Sequence, residues 1–397
     1  MVVTGFSRPN QLDVFAVTAP GLEPLCVAEL KAIGIAATAQ EGGAAWPGDI
    51  GSVARANLWS RTASRVIVRL GEFRARTFFE LERNAKRLPW DRFVAPGSSI
   101  AFRVTSRKSK LYHSDAVAQR LGEAALRAVP GARIAGVTAD DDESAVENIP
   151  AQLFIVRVLH DEVTVSADSS GPLLHFRGYR QQLAKAPLRE TLAAAILLAA
   201  GWSGDVPLFD PMCGSGTIPI EAARFARRIA PGRDRAFALL QWPDFDDRLW
   251  ASLLDDARSG ELAKAPVAIA GADRDAGAVA AAKANAERAG VADDVELRVQ
   301  PLSAMSADDG SGLIATNPPY GLRIGEADRL RNLYAQLGNL LRTKRPGWQL
   351  AMLSADKTLE RQLQLPLDEK LRTKNGGIPV RVVTATPPAP VPRSQSL

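Results

Sequence analysis

The sequence predicts an α/β protein: a doubly wound parallel sheet in the C-terminal half, preceded by a smaller α+β module. Two observations predict it. Beyond residue 200, apolar runs of strand length alternate with segments of helical period, as a sheet covered by helices on both faces requires. Before residue 170, short strands and amphipathic helices follow without that alternation, and two strand-like runs are joined only by His160-Asp161, a hairpin signal. At 397 residues the chain is too long for one ordinary core, so two or three compact units are expected.

The elements follow in order. Asp13-Val14-Phe15-Ala16-Val17-Thr18 alternates with period two and predicts a strand; residues 22–34 shift to period 3.6, and Gly34 ends that helix. A helix over 53–65, a strand over 64–70, a helix over 79–88, a strand over 99–105 and a helix over 114–128 come next. Strands over 152–159 and 162–166 flank the hairpin turn, and Asp140-Asp141-Asp142-Glu143 predicts an exposed acidic loop. These make small α+β units with no parallel sheet. Residues 178–191 predict a hinge that feeds a helix over 188–200. Strands over 207–209, 267–272, 295–299, 313–316 and 349–353 then alternate with helices over 217–229, 276–289 and 327–341. Runs at 369–373 and 379–386 flank Asn375-Gly376-Gly377 and predict a closing hairpin; the tail PPAPVPRSQSL is Pro-rich and expected to be disordered. The chain divides into 1–50 and 51–170, a hinge and linker helix at 171–200, a sheet domain at 201–386 and the tail at 387–397.

Composition narrows the function. Hydrophobic residues make up 46% and charged residues 23%, the balance of a globular chain, and there is no apolar run of membrane-spanning length and no signal-peptide layout. A soluble cytoplasmic protein is expected, working without a membrane. Cys26 and Cys213 fall in different predicted domains, and His113, His160 and His175 lack ligand spacing, so neither a disulfide framework nor a metal site is expected. Residues 51–130 carry 16 Lys and Arg against 6 Asp and Glu, while the whole chain is only +5. A polyanion held on one side of the molecule would explain that asymmetry, with Arg103, Arg107, Lys108 and Lys110 as candidate phosphate contacts.

Three strand-end loops carry the chemistry. Asp210-Pro211-Met212-Cys213-Gly214-Ser215-Gly216-Thr217 opens a helix with two glycines that allow close backbone approach and with N–H groups of a helix start. It has neither a third glycine at dinucleotide spacing nor the Lys-Ser/Thr of a phosphate loop, and the preceding acid suits the amino-acid portion of S-adenosylmethionine. Asp273, in Ala272-Asp273-Arg274-Asp275, stands where doubly wound folds place an acid on ribose hydroxyls, and Asp275 is the expected helix cap. Val299-Gln300-Pro301-Leu302-Ser303 carries no acid for an adenine amine, which leaves backbone groups or apolar contact to hold that ring. In Asn317-Pro318-Pro319-Tyr320 the prolines stiffen the turn, the Asn317 amide oxygen and the Pro318 carbonyl can accept two N–H bonds, and Tyr320 offers a face for stacking. That set suits an exocyclic amine on a nucleobase.

The order DPMCGSGT, GADRD, TNPPYG resembles the class I S-adenosylmethionine-dependent methyltransferases that modify exocyclic amines. FAVTAPGLEPL, FRVTSRKSKLYHSDAVAQRL and RGYRQQLAKAPLRETLAAAIL resemble the ferredoxin-like plus THUMP module and joint of the guanine-N2 RNA methyltransferases. The resemblance implies a Rossmann-like methyltransferase sheet with an N-terminal RNA-binding module; a monomer without metal is expected. It implies methyl transfer to N2 of a guanosine in structured RNA, 23S rRNA more than tRNA. Asn317, Pro318, Pro319 and Tyr320 would serve catalysis. Asp210, Met212, Cys213, Gly214, Ser215, Gly216, Thr217, Asp273 and Asn317 would bind the cofactor. An adenine-N6 enzyme and a non-catalytic RNA-binding protein are the competing readings; the first predicts a DNA-recognition domain, the second a damaged cofactor loop.

Overall fold

The computed structural model describes residues 11–138, 151–180, 188–308, 310–320 and 327–386. The predicted acidic loop at 140–143, part of the predicted hinge and the tail lie outside these residues. The chain forms two compact units: Met1–Thr18, Cys26–Leu174 and Asp234–Asp256 make the first, and Ala19–Leu25, His175–Arg233 and Ala257–Leu397 the second.

The first unit is built from β1 (Leu12–Thr18), α1 (Glu23–Ala32), β2 (Thr38–Gln40), β3 (Gly43–Gly48), α2 (Ile50–Trp59), β4 (Ala63–Arg74), α3 (Phe78–Ala85), β5 (Ser99–Arg107), α4 (Ser114–Ala128), β6 (Arg133–Thr138), β7 (Gln152–Leu159) and β8 (Glu162–Asp168). All eight strands share one sheet, ordered β2-β3-β1-β4-β8-β7-β5-β6. As the sequence reading has it, the sheet is mixed, not parallel; that its strands join in one continuous sheet was not foreseen. β4 runs for 12 residues, pairing β1 along its first half and β8 along its second, with a register shift between Arg69 and Gly71. β5 lies parallel to both β6 and β7. β2, β3 and β6 escaped sequence reading: β2 has only three residues, and Gly43-Ala44-Ala45-Trp46-Pro47-Gly48 lacks an alternating pattern. The β7–β8 turn is as expected: His160 and Asp161 both take left-handed conformations, φ 51° and 66°, which match the twist of a two-residue hairpin. Trp90 is fully buried, edge-on to Phe154 at 4.9 Å, and its Nε1–H donates to the Ala85 carbonyl at 2.8 Å.

The second unit begins with α5 (Glu190–Ala199), β9 (Leu208–Asp210) and α6 (Thr217–Ala226). The chain then contributes residues 234–256, with most of α7 (Asp247–Ser259), to the first unit. There Trp242 packs edge-on to Phe93 at 4.9 Å, and its Nε1–H donates to Gln152 Oε1 at 2.7 Å. β10 (Ile269–Asp273), α8 (Ala276–Arg288), β11 (Val295–Val299), β12 (Gly312–Thr316), α9 (Ala327–Asn339), β13 (Trp348–Ser354), α10 (Lys357–Glu360), β14 (Asp368–Asn375) and β15 (Ile378–Ala385) complete the second unit. Its sheet is ordered β11-β10-β9-β12-β13-β15-β14, parallel except for β15, which is antiparallel to both neighbours.

Successive residues of β12 serve opposite cores, as strand geometry dictates: Leu313 and Ala315 pack with Ile220 of α6 and Val279 of α8, while Ile314 packs with Leu330 and Tyr334 of α9. Helices therefore cover both faces. The strand order reverses between β9 and β12, which leaves a crevice outside their carboxyl ends. Among the described residues, no helix is long and apolar enough to cross a membrane.

Candidate active site

Asp210 ends β9 at this switch point. It is buried, and its Oδ1 accepts hydrogen bonds from the Met212 N–H at 3.0 Å and the Thr316 hydroxyl at 2.7 Å. Burial pushes its carboxyl up to about 7, with Asp273 adding to the rise and the two hydrogen bonds opposing it. The Thr316 bond ties the ends of β9 and β12 together across the crevice.

The glycine loop is held by its own amides. Cys213 N–H donates to the Ala272 carbonyl (2.9 Å), Gly214 N–H to Asp273 Oδ2 (3.0 Å) and Gly216 N–H to the Cys213 carbonyl (2.8 Å). With Met212 N–H on Asp210, these four donors are engaged inside the protein, while Ser215, Thr217 and Ile218, at the helix start, line the cavity described below. Gly216 caps α6 with φ 86°, and a Cβ there would stand 2.9 Å from that of Ala282. Only glycine fits. Burial pushes the Cys213 thiol well up, helped by Asp210 and Asp273, so the sulfur is no thiolate nucleophile.

A buried polar chain supports the loop from below. The Asn285 amide donates to the Ser215 carbonyl at 3.0 Å, the Arg288 guanidinium bonds Asn285 Oδ1, and Arg288 Nε donates to the Tyr179 carbonyl at 2.7 Å. The Tyr179 hydroxyl in turn donates to Glu221 at 3.0 Å. Beside it Arg180 pairs with Glu190 at 2.9 Å, yet burial still pushes the Glu190 carboxyl up to about 7. The motif Arg177-Gly178-Tyr179-Arg180 thus belongs to the foundation of the loop.

Asp273 ends β10, its Oδ1 accepting the Asp275 N–H at 2.9 Å. Asp275 caps α8, accepting from Gly277 and Ala278 at 2.8 and 3.1 Å, as the sequence predicts. Val299, in register with Asp273 on the neighbouring strand, is 57% exposed and supplies apolar surface where the sequence has no acid.

Asn317 follows β12. Its Oδ1 is buried and has no hydrogen-bond partner. An unpaired buried acceptor costs about 1–3 kcal/mol, and this one belongs to a residue at the carboxyl end of β12, beside Asp210's partner Thr316. Pro318 is buried, Pro319 exposed and Tyr320 half-buried against the core that covers the α6 and α8 side of the sheet. The Tyr320 hydroxyl accepts a hydrogen bond from the Asn375 amide at 2.5 Å.

A cavity of about 950 Å³ joins these loops. Asp210, Met212, Cys213, Gly214, Ser215, Thr217, Asp273, Asn317 and Pro319 line it; Gly216, Pro318 and Tyr320 do not. Its other wall is one face of α9, Arg329, Asn332, Leu333 and Gln336, which sequence reading missed. The 329, 332, 333, 336 spacing is the signal that could have found it. Two carboxylates and a close-approach loop fit a cofactor that bears an amino group and ribose hydroxyls, and the unsatisfied Asn317 oxygen is one more acceptor on the same cavity wall. Among the described residues no group of three His, Cys, Asp or Glu could hold a metal.

In the first unit Arg107, Lys108 and Lys110 are exposed together at the end of β5 and the loop after it, whereas Arg103 is half-buried, with Nε and Nη2 buried. Asp161 organises that loop: it accepts the Lys110 N–H at 2.8 Å and pairs with Arg76 at 3.3 Å.

The family described as RMKL-like, methyltransferase domain, matches residues 177–384; the RlmL ferredoxin-like domain matches 13–67 and the THUMP domain 75–168. The chain is 34% identical over 370 residues to the putative RNA methyltransferase slr0064 of Synechocystis sp., covering 92% of this chain and 94% of that protein. It is 38% identical to the ribosomal RNA large subunit methyltransferase K/L of Syntrophotalea carbinolica, covering 94% of this chain but 53% of that protein, about half its length. Among solved structures, SMU.472, described as a putative methyltransferase complexed with SAH, superposes with a TM-score of 0.86 at 29% identity, over 96% of this chain and 99% of that one. A predicted N6-adenine-specific DNA methylase from Listeria monocytogenes superposes with a TM-score of 0.84 at 30% identity, over 95% and 97%. The domain order thus agrees with the matches, and the chain belongs to the THUMP-containing, S-adenosylmethionine-dependent RNA methyltransferases.

Proposed function

We propose that this chain methylates the exocyclic N2 of a guanosine in large-subunit ribosomal RNA. The observation that carries the reading is the buried, unpartnered Oδ1 of Asn317 at the crevice. S-adenosylmethionine, when bound, supplies a methyl carbon made electrophilic by its sulfonium. The chain must then overcome the weak nucleophilicity of an aromatic amine, whose lone pair is delocalised into the ring. Asn317 Oδ1 and the Pro318 carbonyl accept the two amine hydrogens and turn the lone pair toward the reacting carbon. Tyr320 stacks on the extruded base, for about 1–3 kcal/mol. No strong base is needed, because the methylated amine becomes acidic. Alignment supplies most of the acceleration, for which well-oriented reactions gain about 7–11 kcal/mol. Arg107, Lys108 and Lys110 hold RNA phosphates. The name of the Syntrophotalea relative supports the ribosomal substrate; the Listeria description keeps adenine N6 as the alternative acceptor.

Radiolabelled donor, total RNA and nucleoside digestion test the reading. Label in N2-methylguanosine of 23S rRNA is expected; label in tRNA corrects the substrate, and label in N6-methyladenosine overturns the acceptor. No label despite RNA binding overturns the enzymatic reading. Asn317→Ala should lower kcat by about 10²–10³-fold, the loss typical of a removed transition-state partner, with cofactor affinity nearly unchanged. Equal losses in both would assign Asn317 to folding.

A further inference from the structure

We propose that Asn375, at the end of β14, is a positioning residue that aims the ring of Tyr320 at the acceptor base. The inference rests on the reading of Tyr320 as the surface on which that base stacks. The two prolines before Tyr320 stiffen its backbone but leave its side-chain torsions free. Packing on a core that includes the partly buried Leu371 restrains the ring from one side. Its far end is held separately, by the 2.5 Å bond from the Asn375 amide to the phenolic oxygen. Because that oxygen lies on the axis of ring rotation, the bond fixes the direction in which the side chain points and leaves ring rotation to the packing. The bond also uses an acceptor site of the phenol, so its O–H remains available as a donor.

The turn itself does not demand asparagine at this position. Gly376 and Gly377 take the positive φ values, 54° and 84°, while Asn375 is a strand residue paired with Ile378. In the sequence Asn375-Gly376-Gly377 reads only as a hairpin signal. The fold gives the asparagine side chain a second use, bringing it from 55 residues away onto the residue that follows Pro319, itself on the cavity wall.

The chain has four tyrosines, so 3-fluorotyrosine labelling should give four fluorine resonances, with that of Tyr320 assigned by its loss in Tyr320→Phe. In Asn375→Ala the Tyr320 resonance should move and the other three stay. The kcat/KM for RNA should fall about 3- to 10-fold, the equivalent of one hydrogen bond, while S-adenosylhomocysteine affinity holds. Asn375→Asp, whose carboxylate can accept from the phenol, should restore most of the rate. The double variant with Tyr320→Phe should be no slower than Tyr320→Phe alone. Movement of all four resonances, or additive losses, would show a structural role and overturn the proposal. An active Asn375→Ala with an unmoved Tyr320 resonance, beside an inactive Tyr320→Ala, would sink this inference alone. A fully active Tyr320→Ala would remove the stacking reading beneath it.

Discussion

Asp210 shows how one buried carboxyl can be tuned by the residue across the switch point. Its folded value, near 7, is above that of an unfolded aspartate, near 3.8. The sign follows: the fold favours the protonated form, so the contribution to stability is full below about pH 4, declines as pH rises to about 7 and is flat above. Without cofactor, Asp210→Asn should therefore be more stable than the native chain at pH 8, by on the order of a few kcal/mol, and the gap should narrow toward pH 4. Urea unfolding across that range checks it; a pH-independent gap would refute the assignment. Thr316→Val, which removes a bond that steadies the carboxylate, should push Asp210 higher still. Asp210, Asp273 and Asn317 were legible in the sequence because each ends a strand-like run. Asp275 was legible as a cap because an acid directly precedes a helical pattern. Arg103 and Arg107 could not be told apart, because their different burial depends on what packs around β5.

Among elements, the glycine loop was readable as a motif, but the separate duties of its residues were not. Gly214 has φ 53° with open space where a Cβ would go, whereas Gly216 has φ 86° and faces Ala282 on α8. Gly216→Ala should lower stability by about 1–3 kcal/mol, with a matching fall in melting temperature. Gly214→Ala should cost less stability and more cofactor affinity, since its methyl enters the space that the cavity leaves beside the loop. Thermal unfolding and calorimetric titration with S-adenosylhomocysteine separate the two. The α9 wall was not legible for a different reason. Leu330, Tyr334 and Leu337 turn one face to the core, so Arg329, Asn332 and Gln336 looked like an ordinary solvent face.

At the scale of the whole molecule, the two units do not follow chain order, because residues 234–256 leave the C-terminal half to complete the first unit. Trp242→Ala should destabilise that unit by about 3–5 kcal/mol, the loss expected for a buried tryptophan, while S-adenosylhomocysteine binding persists. Loss of both would place Trp242 in the foundation of the second unit instead. Charge reversal at Arg107, Lys108 and Lys110 should weaken RNA binding and reduce its salt dependence, by about 0.7–0.9 in slope for each phosphate that is no longer neutralised. An unchanged slope would remove these residues from the RNA surface. By itself the sequence determined the doubly wound sheet, the strand-end acids, the Asn317-Pro318-Pro319-Tyr320 turn and the basic half, because periodicity, turn chemistry and charge act over a few neighbouring residues. Only the tertiary structure decided that eight N-terminal strands form one sheet, that Asn317 keeps an unpaired buried oxygen and that Asn375 reaches Tyr320. Those facts depend on which distant surfaces pack together, and burial and hydrogen-bond partners do not exist until they do.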